Sequence, residues 1–197
     1  MPTRPRVVLM AAVLLALVGA SRPAYADGIG VGAKVGPLFS TFTADNLSFK
    51  NKTGLMGGIW FGGNRSGAVG IQGEVLYAKK TAETQVPAAT TDLYYLEVPV
   101  MLRVNVGSRS REKVAGYVIV GPAADIKLKA KQNDLDVSDN YEGLDIGVIG
   151  GAGVEISRFL VEGRINWGLR NVVAGNLANT TKITTRTVAI LFGVRFN

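Results

Sequence analysis

The sequence predicts an all-β fold, an eight-stranded antiparallel up-and-down transmembrane β-barrel, and three observations lead to this prediction. Apolar and polar residues alternate with period two in eight blocks of about ten residues each. After the first 26 residues, no apolar run reaches the length of about 20 residues that a transmembrane helix needs. The polar face of the blocks is rich in glycine and carries isolated charges of both signs, which is typical of the interior of a small barrel.

The composition argues against most classes of enzyme. The chain has 197 residues, a length typical of one domain, with 25 glycines and neither histidine nor cysteine. Without cysteine there is no disulfide framework, zinc–thiolate site or thiol nucleophile. Without histidine there is no imidazole base or imidazole metal ligand. We therefore expect no enzymatic activity, no cofactor and no metal site.

Residues 1–26 are predicted to be a cleaved secretory signal peptide, which leaves 27–197 as the barrel domain. Two arginines precede an apolar run of fourteen residues, and Ala24-Tyr25-Ala26 matches the small-x-small cleavage pattern. The alternative, a membrane anchor, needs a longer run. Cleavage removes three arginines and lowers the formal net charge from +7 to +4. The chain also has no basic helix and no aromatic RNA-binding motif, so we expect no nucleic-acid partner.

The predicted strands follow one another without a linker. They span 28–36, 54–62, 69–77, 94–105, 114–127, 145–156, 159–170 and 187–196. The first places Ile29 on its apolar face and Lys34 on the other. In the second, the apolar face is ambiguous, because Ile59 and Trp60 both lie in rows of apolar residues.

The remaining strands alternate more clearly. Ile71 opposes Glu74 in the third, and Leu102 opposes Arg103 in the fourth, whereas the fifth is a mostly apolar run. The last three repeat the alternation with the neighbours Val154/Glu155, Val161/Glu162 and Val194/Arg195.

The predicted connections are alternately long and short. Long ones are expected at 37–53, 80–92, 128–142 and 171–183, and short ones at 63–67, 107–113 and 157–158. This alternation is typical of membrane barrels, which carry long loops at one end and tight turns at the other.

The position of the aromatic residues favours lipid around the apolar face. Aromatic residues near block ends, as in the girdles of membrane barrels, are Trp60, Tyr77, Tyr94, Trp167, Phe192 and Phe196. A closed barrel also satisfies every backbone polar group within lipid. The alternative is a soluble periplasmic ligand-binding barrel with its apolar face inside, but its exterior should carry more charge than these strands offer.

The charged residues of the polar face are the candidate functional residues. The predicted lumen charge network comprises Lys34, Glu74, Glu97, Arg103, Glu155, Glu162, Arg164 and Arg195. One interpretation is a salt-bridge network that plugs the lumen, since eight strands leave just enough width for side chains. The other is a charged constriction in a small passive pore for ions or small solutes.

Several motifs resemble those of a known family. The segment 94–103 (YYLEVPVMLR) is similar to the family's "YLEIPLLLK" strand, and Glu162-Gly163-Arg164 and Gly193-Val194-Arg195-Phe196 are similar to its last two strands. The sequence thus resembles the small bacterial outer-membrane β-barrel proteins of the porin family, related in shape to OmpA-type eight-stranded barrels.

The resemblance implies location in the bacterial outer membrane, with lipid and lipopolysaccharide as surroundings. We expect the protein to stabilise the membrane or to present its four predicted long loops to extracellular ligands. Such barrels usually end on an aromatic residue read by the barrel-assembly machinery; here that residue is Phe196, followed by Asn197. The predicted loops also carry Lys50, Lys52 and Lys182, which are candidates for contact with lipopolysaccharide phosphates. The interpretation that the sequence favours is that they are solvated loop lysines.

Overall fold

The computed structural model describes residues 29–44, 49–63, 67–85, 88–106, 114–133, 135–138, 143–169 and 183–196. Within these residues the strands are β1 (Gly30–Ala44), β2 (Phe49–Gly62), β3 (Val69–Gln85), β4 (Ala88–Val106), β5 (Val114–Gln132), β6 (Leu135–Asp136), β7 (Leu144–Ile156), β8 (Phe159–Gly168) and β9 (Ile183–Arg195). The predicted signal peptide lies outside the described residues. No helix among the residues above is long and apolar enough to cross a membrane.

Eight strands close into one antiparallel ring. The order β4-β3-β2-β1-β9-β8-β7-β5 is completed by pairing of β4 with β5. The two-residue strand β6 is not part of the ring. It pairs with the end of β5 in a small hairpin, in which Lys131 lies opposite Asp136. The predicted all-β, eight-stranded antiparallel barrel is therefore confirmed.

The two ends of the barrel differ. At one end, here called the turn end, lie the connections 63–68 and 157–158, which join β2 to β3 and β7 to β8. Gly62 and Gly63 have φ of 97° and 69°, and residues with a side chain rarely adopt these values. At the opposite end, here called the loop end, lie the connections that follow β1, β3, β5 and β8.

The strands run further toward the loop end than the sequence predicted. The predicted long connections 37–53 and 80–92 are wrong, since only four positions separate β1 from β2 and only two separate β3 from β4. The connection 128–142 is also shorter, because β5 continues to Gln132 and β6 follows. The connections 107–113 and 171–182 lie outside the described residues. Long loops therefore do not follow β1 and β3, and the prediction of four long loops was too high.

The loss of the period-two pattern near the loop end explains why these connections were predicted to be too long. Near the loop end both faces of a strand carry polar residues, so alternation is lost while backbone pairing continues. Thr81 pairs with Asp92 in the β3–β4 ladder, and their side chains hydrogen-bond at 2.7 Å.

The apolar face points outward. Ile71 and Phe159 are each 68% exposed, whereas charged residues of the opposite rows are buried inside the ring. The soluble alternative required the reverse arrangement. In β2, Ile59 faces outward and Trp60 faces inward with no exposed surface, which resolves the ambiguity.

Trp60 was therefore wrongly assigned to an aromatic girdle. Its ring lies inside the barrel against Gly32, where an added Cβ would be 2.6 Å from Nε1. The other assigned aromatic residues that are exposed on the outer surface are Tyr77, Trp167, Phe192 and Phe196. Tyr94 is partly exposed and packs against Tyr77, with ring centroids 6.2 Å apart.

Candidate functional site: the charged barrel interior

The interior carries charged side chains of both signs that are almost completely buried. The cations are Lys34, Lys80, Arg103, Arg164 and Arg195, and the carboxylates are Glu74, Glu97, Asp125, Asp145, Glu155 and Glu162. None of them is more than 4% exposed. All eight residues of the predicted lumen network are in this set. Lys80, Asp125 and Asp145 were not included in that prediction.

A central cluster joins opposite walls of the barrel. Lys34 Nζ lies 2.6 Å from Glu74 Oε1 and 3.1 Å from Glu162 Oε2. Arg164 Nη2 lies 2.7 Å from Glu74 Oε2 and 2.9 Å from Glu162 Oε1. Two cations and two carboxylates thus alternate in a closed ring of ion pairs. Such an arrangement offsets the cost of removing each charge from water.

Glu97 extends the central cluster toward the loop end. Arg164 Nη1 lies 3.5 Å from Glu97 Oε1, and the amide of Asn166 donates to Glu97 Oε2 at 2.9 Å. Asn166 belongs to the same inward row of β8 as Glu162 and Arg164. Arg103, on the same strand as Glu97, binds Glu155 instead.

A second cluster lies toward the turn end. Glu155 accepts from Arg103 Nη2 at 2.9 Å and from Arg195 Nε at 2.8 Å, so one carboxylate binds two guanidinium groups. Each guanidinium also lies over an aromatic ring: Arg103 Cζ is 3.8 Å from the Tyr117 ring centroid, and Arg195 Cζ is 5.1 Å from that of Trp60. Contact of this kind suits arginine, which is weakly hydrated and planar.

Two neutral polar side chains link these clusters. Gln72 accepts from Arg103 Nη1 at 3.1 Å and donates to Glu74 at 2.7 Å. The Tyr117 hydroxyl donates to Glu162 Oε2 at 2.9 Å. The central and turn-end clusters therefore form one continuous network. The predicted network contained neither residue, since it was limited to charged side chains and a tyrosine in an apolar run gives no polar signal.

A third cluster lies toward the loop end. Lys80 Nζ lies 2.6 Å from Asp125 Oδ2 and 4.8 Å from the Tyr95 ring centroid. Asp125 is opposite Glu97 in the β4–β5 ladder and opposite Asp145 in the β5–β7 ladder, so three carboxylates occupy adjacent strands. The Asp145 carboxylate accepts from Thr185 Oγ1 at 3.2 Å.

Apolar side chains fill the space beside these charges. The larger interior cluster comprises Leu38, Met56, Leu76, Ala78, Leu93, Tyr95, Ala130, Ala189 and Leu191. The smaller one comprises Met101, Tyr117, Ile119, Ala123 and Ile149. The interior is therefore packed as a core, as expected for eight strands. No group of acidic residues in the part of the chain that the structure describes could hold a metal ion.

The segment after β6 covers part of the loop end. Val137 packs against the larger apolar cluster, and its amide donates to the Ala130 carbonyl at 3.0 Å. Asp136 accepts from the Ser138 hydroxyl at 2.6 Å and from its amide at 3.0 Å. These hydrogen bonds lower the pKa of Asp136 below its usual range. The segment is thus held by both apolar and polar contacts.

Known structures share this architecture. The attachment invasion locus protein of Yersinia pestis is 17% identical, with a TM-score of 0.50, and the match covers 86% of this chain and 99% of that one. The neisserial surface protein A is 13% identical, with a TM-score of 0.53, covering 86% and 97% of the two chains. At these identities the likeness establishes the fold. No curated protein sequence matches the chain significantly.

A protein family matches most of the sequence. The family described as outer membrane protein beta-barrel domain matches residues 21–174. Its outer-membrane location agrees with a closed barrel whose exterior is apolar and whose charges are inside. The chain therefore belongs to the outer membrane protein beta-barrel domain family and is a transmembrane barrel of the bacterial outer membrane.

Proposed function

We propose that this protein is a non-conducting barrel whose role is structural or mediated by its loop end, with the charged network as a plug. The observation that carries this proposal is the ring formed by Lys34, Glu74, Glu162 and Arg164. Its side chains have at most 1% exposed surface and reach across the lumen. We infer no catalytic role, since the chain has neither a histidine base nor a cysteine nucleophile.

The energetics favour a closed lumen. Removing one partner from a buried ion pair costs about 3–5 kcal/mol, because the remaining charge is left without compensation. An ion path along the barrel would have to separate pairs in the central, turn-end and loop-end clusters at the same time. The apolar side chains packed beside them, such as Leu76 and Leu191, have no exposed surface and leave little room for rearrangement.

The loop end is the part of the molecule available to partners outside the cell. In outer-membrane barrels the tight turns face the periplasm, so the turn end is periplasmic and the loop end is extracellular. The Yersinia protein was solved in complex with the heparin analogue sucrose octasulfate, a polyanion. In this chain Lys52, Lys129 and Arg186 are exposed, and they are the described candidates for contact with lipopolysaccharide phosphates or another polyanion. The side chains of Lys50 and Lys182 lie outside the described residues.

A planar-bilayer recording tests the plug against the small passive pore. The purified barrel is first shown to be folded by the difference in gel mobility between boiled and unboiled samples, and its insertion is checked by protease protection in vesicles. We expect inserted wild-type protein to give no steady current steps. Steps that disappear in Glu162→Gln or Arg164→Gln would overturn the plug and establish the pore. Assembly by the barrel-assembly machinery through Phe196 is a separate proposal, tested by outer-membrane yield of Phe196→Ala.

A further inference from the structure

We propose that a groove on the outer wall, near the turn end, binds one acyl chain of a phospholipid whose phosphate lies against Arg158. The groove crosses β2, β1, β9 and β8 and has a volume of about 700 Å³. Its floor is formed by Ala33 and Gly57, and its walls by Val35, Ile59, Phe159 and Phe192.

The strand register explains why the wall is concave here. Ala33 lies opposite Ile59 on one side and Val194 on the other, and Gly57 lies opposite Val35. Ala33 and Gly57 offer at most a methyl group, while the side chains of the walls stand out from the barrel and are about half exposed or more: Val35, Ile59, Phe159 and Phe192. The small residues therefore leave a depression with tall apolar walls.

The chemistry of the groove fits a hydrocarbon chain. The side chains that line it are apolar, and it opens on the face that contacts the membrane. Filling such a depression with an acyl chain restores the dispersion contacts that a gap would forfeit.

The position of the groove along the barrel axis identifies the class of lipid. Phe159 is the first residue of β8, Val194 is one residue from the end of β9, and Ala33 is the fourth residue of β1. All three therefore lie close to the periplasmic turns. The periplasmic leaflet of an outer membrane consists of phospholipid, whereas lipopolysaccharide occupies the opposite leaflet.

Arg158 supplies charge complementary to a phosphate. It is exposed in the β7–β8 turn directly before Phe159, and its carbonyl accepts from the Arg195 amide at 2.7 Å. The backbone of Arg158 is thus fixed beside the groove. The carboxylate nearest in sequence, Glu155, faces the interior and is bound by Arg103 and Arg195. An exposed guanidinium at this rim favours an anionic headgroup there.

Native mass spectrometry of the detergent-solubilised barrel tests the proposal. The probes are dioleoyl phosphatidylglycerol and a diacylglycerol with the same chains. Gly57→Leu fills the floor; an added Cβ lies 3.1 Å from Val35 Cγ2 and 3.2 Å from the Lys34 carbonyl oxygen, so these neighbours must give by a few tenths of an ångström. Gly163→Leu is the matched control, because this outward glycine has no atom within 4 Å of its added Cβ and does not line the groove.

We expect wild type and Gly163→Leu to retain one phosphatidylglycerol each. Gly57→Leu should weaken binding of both probes about tenfold or more, and Arg158→Ala should weaken only phosphatidylglycerol, also about tenfold, as expected for loss of one charged hydrogen bond. Each variant must first pass the gel-mobility test for a folded barrel. Equal retention by Gly57→Leu and Gly163→Leu would overturn the proposal, as would a dimer that forms through the groove in place of lipid binding. Neither result bears on conductance.

Discussion

Arg164 Nη2 binds Glu74 Oε2 at 2.7 Å although 90 positions separate the two residues. Arg164 lies on β8 and Glu74 on β3, strands that are not neighbours in the barrel wall. The contact therefore crosses the lumen and ties two distant parts of the ring together. The same guanidinium also reaches Glu162 and Glu97, so three carboxylates depend on it.

Replacing this guanidinium should cost a large part of the stability of the barrel. In Arg164→Met the three carboxylates stay buried without their shared partner, and we expect the free energy of unfolding to fall by about 3–5 kcal/mol. Urea unfolding in lipid vesicles, followed by the gel mobility of unboiled samples, measures the change.

An exposed ion pair provides the control. Lys129 Nζ lies 3.6 Å from Asp136 Oδ2, and both side chains are about half exposed. Lys129→Met should lower the free energy of unfolding by less than about 1 kcal/mol, because water screens the pair. Similar losses of unfolding free energy in Arg164→Met and Lys129→Met would mean that the lumen charges are solvated, which would contradict a packed interior.

The interior position of Trp60 requires a glycine opposite it. An added Cβ at Gly32 would lie 2.2 Å from the Val194 carbonyl oxygen and 2.6 Å from Trp60 Nε1. We expect Gly32→Ala to lower the free energy of unfolding by about 1–3 kcal/mol through overpacking. Gly163→Ala, where the added Cβ meets nothing within 4 Å, should have little effect in the same urea assay.

The two tryptophans should report opposite sides of the wall. Trp167 is 40% exposed on the outer face, whereas Trp60 is completely buried inside. Phospholipids brominated on their acyl chains should therefore quench the fluorescence of Trp60→Phe, which retains Trp167. They should leave Trp167→Phe almost unchanged. Strong quenching of the latter variant would place Trp60 in lipid and reverse the assignment of faces in β2.

The segment after β6 should loosen when its apolar contact is lost. Val137 packs against the interior apolar cluster, whereas Leu135 is 73% exposed. We expect Val137→Ser to speed proteolysis between β5 and β7 several-fold while the gel mobility of the barrel stays unchanged. Leu135→Ser should cleave at the wild-type rate. Equal rates in the two variants would contradict the packing of Val137.

The faces of the strands could be predicted from the sequence, because the difference between lipid and interior imposes period two. For example, Val161 is exposed on the outer surface, whereas its neighbour Glu162 is buried inside. The strand ends could not be predicted, because outside the apolar band neither face needs to be apolar while the backbone ladder continues.

Lys80 illustrates the consequence for the candidate site. Sequence reasoning placed it in a loop, yet it is buried and bound to Asp125. The sequence did contain an indication, since Lys80 continues the series of alternate positions on β3 formed by Glu74, Leu76 and Ala78 and so lies on the same face. The sequence could not predict which carboxylate each lysine or arginine binds, because contacts across the lumen depend on barrel closure rather than on positions along one strand.

Pairing of β1 with β9 has a kinetic consequence. The ladder joins the first and last strands of the barrel, with Ala33 opposite Val194 and Thr43 opposite Thr184. Such distant pairing gives a high contact order and slow folding. Until β9 docks, β1 and β8 each present an unpaired edge that invites pairing with another chain. We therefore expect a chain in which β9 has not yet paired with β1 to be prone to aggregate.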